Sequence, residues 1–137
     1  MIRILALGTL KAGFPLHDAL RGARFLGRFR TVEPFPMFVA GPWYAPMILD
    51  EPGTGLQIRG ELYEIDDDVL AKLDALESVG KPGNFRRIVQ VEPMSGGSAL
   101  PAFVYIKARE LAVPAHTGCL DDYQDRRFVP FGARKEG

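Results

Sequence analysis

Apolar and polar residues alternate along several short stretches of the chain, and this period of two predicts β-strands. Residues 2–7 form a compact apolar run rich in branched side chains, which is typical of a buried strand. Alternating or compact apolar patterns predict further strands at residues 25–32, 58–65, 85–92 and 102–106. The turn sequence Ser95-Gly96-Gly97-Ser98 separates the last two and predicts that they pair as an antiparallel hairpin.

Helical periodicity replaces this alternation between residues 66 and 77 and predicts an amphipathic helix there. The run Asp66-Asp67-Asp68 at its start supplies an N-cap and negative charge at the positive end of the helix dipole. Shorter helices are expected at residues 16–23 and near residues 120–125. The apolar stripe of the main helix is formed by Val69, Leu70, Leu73 and Leu76.

Glu77 falls within that apolar stripe, about 20° from Leu70 around the helix axis. An unpaired carboxylate in such surroundings costs on the order of a few kcal/mol, or it keeps its proton up to near-neutral pH. A carboxyl group in that state is suited to act as a general base. The alternative is a helix-end glutamate whose side chain bends out to water or caps a neighbouring loop.

Prolines and glycines interrupt the apolar stretches between residues 33 and 60, so this segment is predicted to form short edge strands and loops. A segment of this kind is suited to wall a pocket. Trp43 and Tyr44 lie within it, and the sequence leaves open whether they line a pocket or only pack.

The loop that follows the first strand runs from Gly8 to Gly13. A glycine at the end of a buried strand lets successive backbone amides point at one spot, which suits an anion such as a ligand carboxylate. A phosphate-binding loop is a poor match, because the Gly-Lys-Ser/Thr ending is missing. A plain turn remains the alternative.

Composition narrows the classes of partner. The chain has 137 residues, a common size for one domain, and its formal net charge is +0, so no basic excess indicates binding to nucleic acid or to an acidic membrane.

We expect no internal disulfide and an inert Cys119, because this cysteine has no second cysteine to pair with. No apolar run approaches the length of a membrane span, and we expect a cytoplasmic protein. His17 has no partner at a ligand spacing, so no metal site is expected.

Five short motifs occur in order along residues 2–106 and together resemble the gamma-glutamylcyclotransferase-like superfamily. Within it they are most similar to the branch of gamma-glutamylamine cyclotransferases and AIG2-like proteins, which the segment Phe25-Leu26-Gly27-Arg28 also resembles. The motifs are Leu7-Gly8-Thr9-Leu10, Gly60-Glu61-Leu62-Tyr63, Leu73-Asp74-Ala75-Leu76-Glu77, Phe85-Arg86-Arg87 and Phe103-Val104-Tyr105.

The resemblance implies an α+β fold, a small mixed twisted β-barrel flanked by helices, in a single domain over residues 1–137. The motifs that carry the resemblance all lie before residue 107. It also implies an intramolecular cyclotransferase that needs no cofactor. This enzyme would release 5-oxoproline and a free amine or amino acid from gamma-glutamyl amines or peptides. By the same resemblance Glu77 is the general acid and base, and Gly8, Thr9 and Leu10 hold the glutamyl moiety.

Tyr63 and Tyr105 could donate hydroxyl hydrogen bonds near the substrate, or they could simply pack. Two positions depart from the family pattern. Leu7, counted with the substrate-binding segment, stands where the family usually has a tyrosine, and so does Phe85. These losses make a non-catalytic module that binds a small metabolite the alternative function. A different hydrolytic or transfer reaction with Glu77 as base is a third, and a monomer is expected.

Overall fold

The computed structural model describes residues 2–134, and five of its strands close into a mixed β-barrel. The strands in chain order are β1 (Ile2–Ala6), β2 (Arg24–Thr31), β3 (Met37–Ala40), β4 (Ala45–Ile48), β5 (Arg59–Ile65), β6 (Asn84–Pro93) and β7 (Leu100–Lys107). The barrel order is β1-β5-β2-β6-β7, and β3 and β4 form a separate two-stranded sheet. Pairing is antiparallel except between β7 and β1, which run parallel and close the barrel. The predicted fold class is therefore confirmed.

The apolar positions of the alternating strands meet inside the barrel. Leu62 and Val91 have 0% exposure, and Leu5 and Val104 have 2% and 1%. Burying these side chains removes apolar surface from water, which is the main favourable contribution to such a fold. β6 and β7 pair antiparallel from Asn84 opposite Lys107 to Val91 opposite Leu100, as the hairpin prediction requires.

One α-helix, α1 (Asp67–Leu76), packs against the outside of the barrel. Asp66 is its N-cap, and one carboxylate oxygen of Asp66 accepts a hydrogen bond from the amide of Val69 at 2.8 Å. Leu73 is fully buried with Ile4 and Tyr105. The predicted helix at residues 66–77 thus agrees with the structure to one residue at each end, and Glu77 is the C-cap.

The two shorter predicted helices differ from the structure in different ways. The one expected at residues 16–23 is a single 3-10 turn, His17–Leu20. The one expected near residues 120–125 is wrong, because that segment is irregular. Its main chain is bound to other elements: the carbonyl of Asp121 accepts from the amide of Arg59 at 2.7 Å, and the carbonyl of Tyr123 accepts from Lys11 Nζ at 2.7 Å. Tyr123 is fully buried in the barrel cluster, and these contacts outweigh local helix propensity.

Two further 3-10 helices follow β7, at Arg109–Leu111 and Phe131–Ala133. Within residues 2–134, no helix has both the length and the apolar character that crossing a membrane requires.

Candidate active site

A cavity of about 310 Å³ opens beside the first strand. Its walls come from the end of β1 and the loop after it, the end of α1, the β3–β4 hairpin, β7 and the segment that follows β7. Most of the wall is apolar. The polar and charged side chains on it are few, which is typical of small-molecule sites, and they are Thr9, Glu77, Ser78, Asn84, Tyr105, Lys107 and Arg134.

Glu77 lines this cavity as the C-cap of α1. Its side chain is 18% exposed, and one carboxylate oxygen lies 3.5 Å from Lys107 Nζ. Burial raises the pKa of Glu77, and the nearby ammonium of Lys107 lowers it but does not cancel the rise. The carboxylate is thus a stronger proton acceptor than an ordinary glutamate.

Lys107 does not neutralise Glu77 completely, because its ammonium has two closer partners. Lys107 Nζ donates to the main-chain carbonyl of Glu77 at 2.9 Å and to Asn84 Oδ1 at 2.6 Å. These bonds tie the end of α1 to the β6–β7 hairpin. They hold the Glu77 backbone in place while leaving its carboxylate only loosely paired.

The loop after β1 brings Gly8, Thr9 and Leu10 to the same cavity. The carbonyls of Gly8 and Thr9 accept hydrogen bonds from the amides of Lys11 and Leu16, both at 3.0 Å, which fixes the turn. Within residues 2–134, the amides of Gly8, Thr9 and Leu10 make no hydrogen bond to a loop or side-chain acceptor. Three successive amide donors thus have no such partner among the described residues, and successive amides of this kind suit an anion.

Gly8 has a steric reason to be glycine. A Cβ atom at this position would lie 2.5 Å from Pro46 Cγ, so the loop can approach the β3–β4 hairpin only without a side chain. Leu7 is 5% exposed and also lines the cavity, where it contributes apolar wall. Phe85, the other departure from the family pattern, is 44% exposed and does not line the cavity.

Tyr105 lines the cavity, but its hydroxyl hydrogen is already used. The hydroxyl donates to Asp74 Oδ1 at 2.8 Å, and Asp74 lies on α1 one turn before Glu77. Burial, then Asp74 and Glu77, raise the pKa of Tyr105, so the residue is a neutral phenol. Toward a ligand its oxygen is an acceptor, whereas the sequence-based expectation treated it as a donor.

Tyr63 is not part of this cavity. It is 6% exposed, and its hydroxyl donates to Glu61 Oε1 at 2.9 Å. Its ring packs 5.4 Å from the ring of Phe25 and 5.9 Å from that of His17. The packing alternative therefore describes Tyr63, and we leave it out of the proposed site.

A second cavity, of about 290 Å³, is lined by the next residues of the same loop, Lys11 and Ala12. Its charged wall contains Lys11, Arg28, Glu61, Asp122 and Arg126. Most of these charges already have partners: Lys11 Nζ lies 2.8 Å from Asp122 Oδ1, and Glu61 Oε1 accepts from the amide of Ala12 at 2.8 Å. Across residues 2–134 no cluster of three or more His, Cys, Asp or Glu side chains is arranged to hold a metal ion.

Sequence reasoning missed several residues of the first cavity. Lys107 and Asn84 gave no signal because they meet Glu77 only through the hairpin. The chain after β7 contributes Phe128, Phe131 and Arg134, which are more than 50 residues from Glu77 along the sequence. Trp43 lines the cavity, whereas Tyr44 stacks on His116 with the ring centres 4.3 Å apart. His17 Nδ1 lies 2.9 Å from the carbonyl oxygen of Leu10 and so helps to hold the loop.

Comparisons with known proteins agree on one family. The family model described as gamma-glutamyl cyclotransferase, AIG2-like, matches residues 4–125. The chain is 37% identical to gamma-glutamylaminecyclotransferase from Bos taurus over 131 residues, which cover 90% of this chain and 76% of that protein. It is 35% identical to gamma-glutamylaminecyclotransferase from Homo sapiens over 124 residues, covering 79% of this chain and 80% of that protein. The crystal structure of an AIG2-like protein from Mus musculus superposes with a TM-score of 0.75 at 33% identity, covering 94% of this chain and 99% of that one.

Proposed function

The chain belongs to the gamma-glutamyl cyclotransferase, AIG2-like family of enzymes, and from this premise we propose that it converts gamma-glutamyl amines or peptides to 5-oxoproline and a free amine or amino acid. The observation that carries the proposal is the position of Glu77. Its incompletely paired carboxylate, with a raised pKa, shares one cavity with the free amides of the loop after β1.

In the proposed complex the amides of Gly8, Thr9 and Leu10 bind the α-carboxylate of the glutamyl moiety. Main-chain N–H groups bind a carboxylate with charge-assisted hydrogen bonds, and a rigid loop holds that charge in one position. The phenolic oxygen of Tyr105 is available to accept from the substrate's α-ammonium. The apolar wall to which Leu7 contributes excludes water from the folded substrate.

Glu77 then takes one proton from the α-ammonium, and the resulting amine attacks the γ-carbonyl carbon. A new C–N bond closes the five-membered ring, and the bond from that carbon to the leaving nitrogen breaks. Glu77 returns the proton to the leaving nitrogen. The ring nitrogen loses a second proton as the lactam forms, and the released amine takes it up as an ammonium, so protons balance over the cycle. Nucleophile and electrophile belong to one molecule, so the enzyme gains most by holding the folded conformer, and the reaction requires no cofactor.

In this scheme Lys107 limits the rise in the pKa of Glu77, so that its carboxylate can act as a base. A fully desolvated glutamate without a nearby cation would hold its proton too firmly to act as a base near neutral pH. A tight ion pair would have the opposite effect: it would stabilise the ionised carboxylate, lower its pKa and weaken the base. The 3.5 Å separation between Lys107 Nζ and Glu77 Oε2 lies between these two extremes.

The test is a panel of gamma-glutamyl amino acids, gamma-glutamyl-lysine and a gamma-glutamyl alkylamide incubated with the purified chain. We expect 5-oxoproline, detected by chromatography and mass spectrometry, from at least one substrate. Free glutamate in its place would indicate hydrolysis by water and would contradict cyclisation. Binding of a panel member by calorimetry without any product would favour the non-catalytic module instead.

We also propose that the chain acts as a monomer on this small-molecule substrate, because one copy by itself supplies Glu77, the loop amides and Tyr105 that the proposed reaction uses. Light scattering on the purified protein tests this: a mass near 15.1 kDa is expected, and a stable dimer would contradict it.

A further inference from the structure

Lys11 joins the loop after β1 to a distant part of the chain, residues 121–126. Its ammonium donates to Asp122 Oδ1 at 2.8 Å and to the main-chain carbonyl of Tyr123 at 2.7 Å. The Lys11 side chain is 7% exposed, so little water competes with these two acceptors. The loop is therefore attached to residues 121–126 by a buried, charge-assisted contact.

Two further contacts attach the next residues of the loop to the same segment. Arg126 Nη1 donates to the carbonyl of Gly13 at 2.6 Å, and the guanidinium carbon of Arg126 lies 4.0 Å from the ring centre of Phe14. The ring of Phe14 lies in turn 5.1 Å from that of Tyr123. The second half of the loop thus contacts residues 121–126 through an ion pair, a main-chain acceptor and packed rings.

Residues 121–126 are themselves fixed to the barrel. The carbonyl of Asp121 accepts a hydrogen bond from the amide of Arg59, the first residue of β5, at 2.7 Å. The side chain of Tyr123 has 0% exposure and belongs to the hydrophobic cluster inside the barrel. The contacts of the loop with this segment therefore restrain the loop relative to the barrel.

The main chain of Lys11 closes the turn that carries the three amides of the first cavity. Its own amide donates to the carbonyl of Gly8 at 3.0 Å, and Leu10 immediately precedes it in the chain. A shift of Lys11 would therefore change the direction in which these amides point. Lys11 lines the second cavity and not the first, so it acts on the site through the loop.

We propose that Lys11, held by Asp122, is a positioning residue that fixes the direction of the loop amides toward a ligand carboxylate. This inference rests on the proposed function for the identity of that carboxylate, the α-carboxylate of the glutamyl moiety. Donors that are already fixed bind an anion more tightly, because the loop loses less conformational freedom when the ligand binds. The ion pair in the second cavity thereby contributes to binding in the first.

Binding to Glu77→Gln, which removes the proposed base, tests the inference without turnover. Calorimetry compares gamma-glutamyl-alanine with the same dipeptide in which the glutamyl α-carboxylate is converted to a carboxamide. The two ligands differ in the anion that the loop amides are proposed to bind. We expect the acid to bind about tenfold more tightly or better, as for hydrogen bonds to a charged group.

Adding Lys11→Met to Glu77→Gln should reduce this preference about threefold or more, because the loop loses its buried attachment and its amides are no longer held in one direction. Lys11→Arg keeps a positively charged donor and should restore part of the preference. Asp122→Asn keeps an acceptor oxygen beside Lys11 but removes the negative charge, so it should give an intermediate preference. This milder variant also provides the test if circular dichroism shows that Lys11→Met folds poorly.

Amide hydrogen exchange separates a local loosening of the loop from a loss of global stability. The amide of Leu16 donates to the carbonyl of Thr9 at 3.0 Å, within the loop that Lys11 holds. In Lys11→Met this amide should exchange about tenfold faster, and the amides of β5 should be accelerated by a smaller factor. Acceleration of the Leu16 and β5 amides by the same factor would indicate global destabilisation only and would contradict a positioning role.

The matched control is Arg30→Met in the same background. Arg30 also forms a partly buried ion pair, with its Nη2 2.9 Å from Glu92 Oε2, but neither residue lines either cavity. This variant should keep both the preference for the acid and the slow exchange of the Leu16 amide. A preference that is unchanged in Lys11→Met, or that falls equally in Arg30→Met, would overturn the inference.

Turnover assays on the unmodified chain distinguish failure of this inference from failure of the proposed function. If 5-oxoproline is released but the preference for the acid does not depend on Lys11, only the inference is wrong. Equal binding of the two ligands to Glu77→Gln would overturn the inference whether or not 5-oxoproline is released, because the loop would not bind the α-carboxylate. A preference that depends on Lys11 without any 5-oxoproline would refute the cyclotransferase and leave Lys11 as the positioning residue of a binding loop.

Discussion

The loop after β1 lines two cavities of similar volume, about 310 Å³ and about 290 Å³, which differ in how their carboxylates are paired. In the first cavity Glu77 lies 3.5 Å from its only ion-pair partner among the described residues, Lys107, and burial raises its pKa. In the second, burial acts on Asp122 in the same direction, but hydrogen bonds from Lys11 and Gln124 outweigh it and leave the pKa of Asp122 below its ordinary value.

The comparison shows that a carboxylate beside a cavity becomes a candidate base only when its partners leave it incompletely satisfied. Asp122 receives the Lys11 ammonium at 2.8 Å, so its ionised form is stable and its proton affinity is low. Glu61, in the same second cavity, accepts from the Ala12 amide and from the Tyr63 hydroxyl through one oxygen. The second cavity is therefore richer in charge but poorer in groups that could exchange a proton.

The largest expected effect comes from exchanging one carboxylate for an amide in each cavity. Glu77→Gln should lower kcat/KM for the best gamma-glutamyl substrate by about 10²-fold or more, because a general base is removed. Glu61→Gln keeps an acceptor oxygen for Ala12 and should change kcat/KM less than about threefold. Steady-state release of 5-oxoproline measures both, with circular dichroism to show that each variant folds. Comparable losses in the two variants would remove the functional distinction between the cavities.

Two glycines of the loop after β1 test whether its backbone binds substrate in the first cavity. Gly8→Ala forces a Cβ atom against Pro46 and displaces the amides, so kcat/KM should fall about tenfold through a higher KM. Gly13 has a φ of +84°, and a Cβ atom added there would meet no other atom within 4 Å. Gly13→Ala should therefore cost about 1–2 kcal/mol of unfolding free energy with little change in KM. Urea unfolding and substrate titrations measure these quantities. An unchanged KM in Gly8→Ala would argue against substrate binding by this loop.

Two of the buried tyrosines, Tyr63 and Tyr105, provide a smaller contrast. Each donates its hydroxyl hydrogen to a carboxylate, but only Tyr105 lines the first cavity. Tyr105→Phe should lower kcat/KM several-fold, because the substrate's ammonium loses an acceptor and Asp74 loses a donor. Tyr63→Phe should cost about 1 kcal/mol of stability for one hydrogen bond and leave kcat/KM within about twofold. A larger kinetic effect from Tyr63 would contradict its placement outside the site.

The smallest effect is expected in the pH dependence of kcat/KM. The free enzyme is active only when Glu77 is ionised. Because the pKa of Glu77 is raised, kcat/KM should increase with pH over a range that lies above the pKa of an ordinary glutamate. Lys107 lowers that pKa, so Lys107→Met should move the acidic limb to still higher pH, whereas Lys72→Met on the exposed face of α1 should not move it. A limb that shifts to lower pH in Lys107→Met would show that Lys107 does not stabilise the ionised form.

The same raised pKa predicts a sign for stability. The folded state binds the Glu77 proton more tightly than the unfolded state does, so this group's contribution to the free energy of unfolding falls as pH rises from the ordinary glutamate pKa through the raised one. Urea unfolding across that range should therefore show Glu77→Gln gaining stability relative to the unmodified chain as pH increases. A difference that stays constant with pH would show that the pKa of Glu77 is not raised in the folded protein.

Local patterns were sufficient for most of the fold. Alternation placed the barrel strands, and the Asp66 cap and the stripe through Leu73 placed α1 to within one residue at each end. These features depend on neighbours within a few residues, which is why they can be predicted from sequence. The helix expected near residues 120–125 is wrong for the complementary reason: the burial of Tyr123 and the hydrogen bonds to Arg59 and Lys11 all come from distant parts of the chain.

For the site, the sequence alone determined the anomaly, a carboxylate in the apolar stripe of α1, and the glycine-led loop after the first strand. Only the tertiary structure decided their surroundings: Lys107 and Asn84 beside Glu77, Tyr63 away from the wall of the first cavity, and Arg134 over the ring of Phe131. The physical reason is the separation along the chain of the residues that interact. Periodicity, capping and turn formation act between near neighbours, whereas the pairing and burial that set a pKa depend on which distant segments the closed barrel brings together.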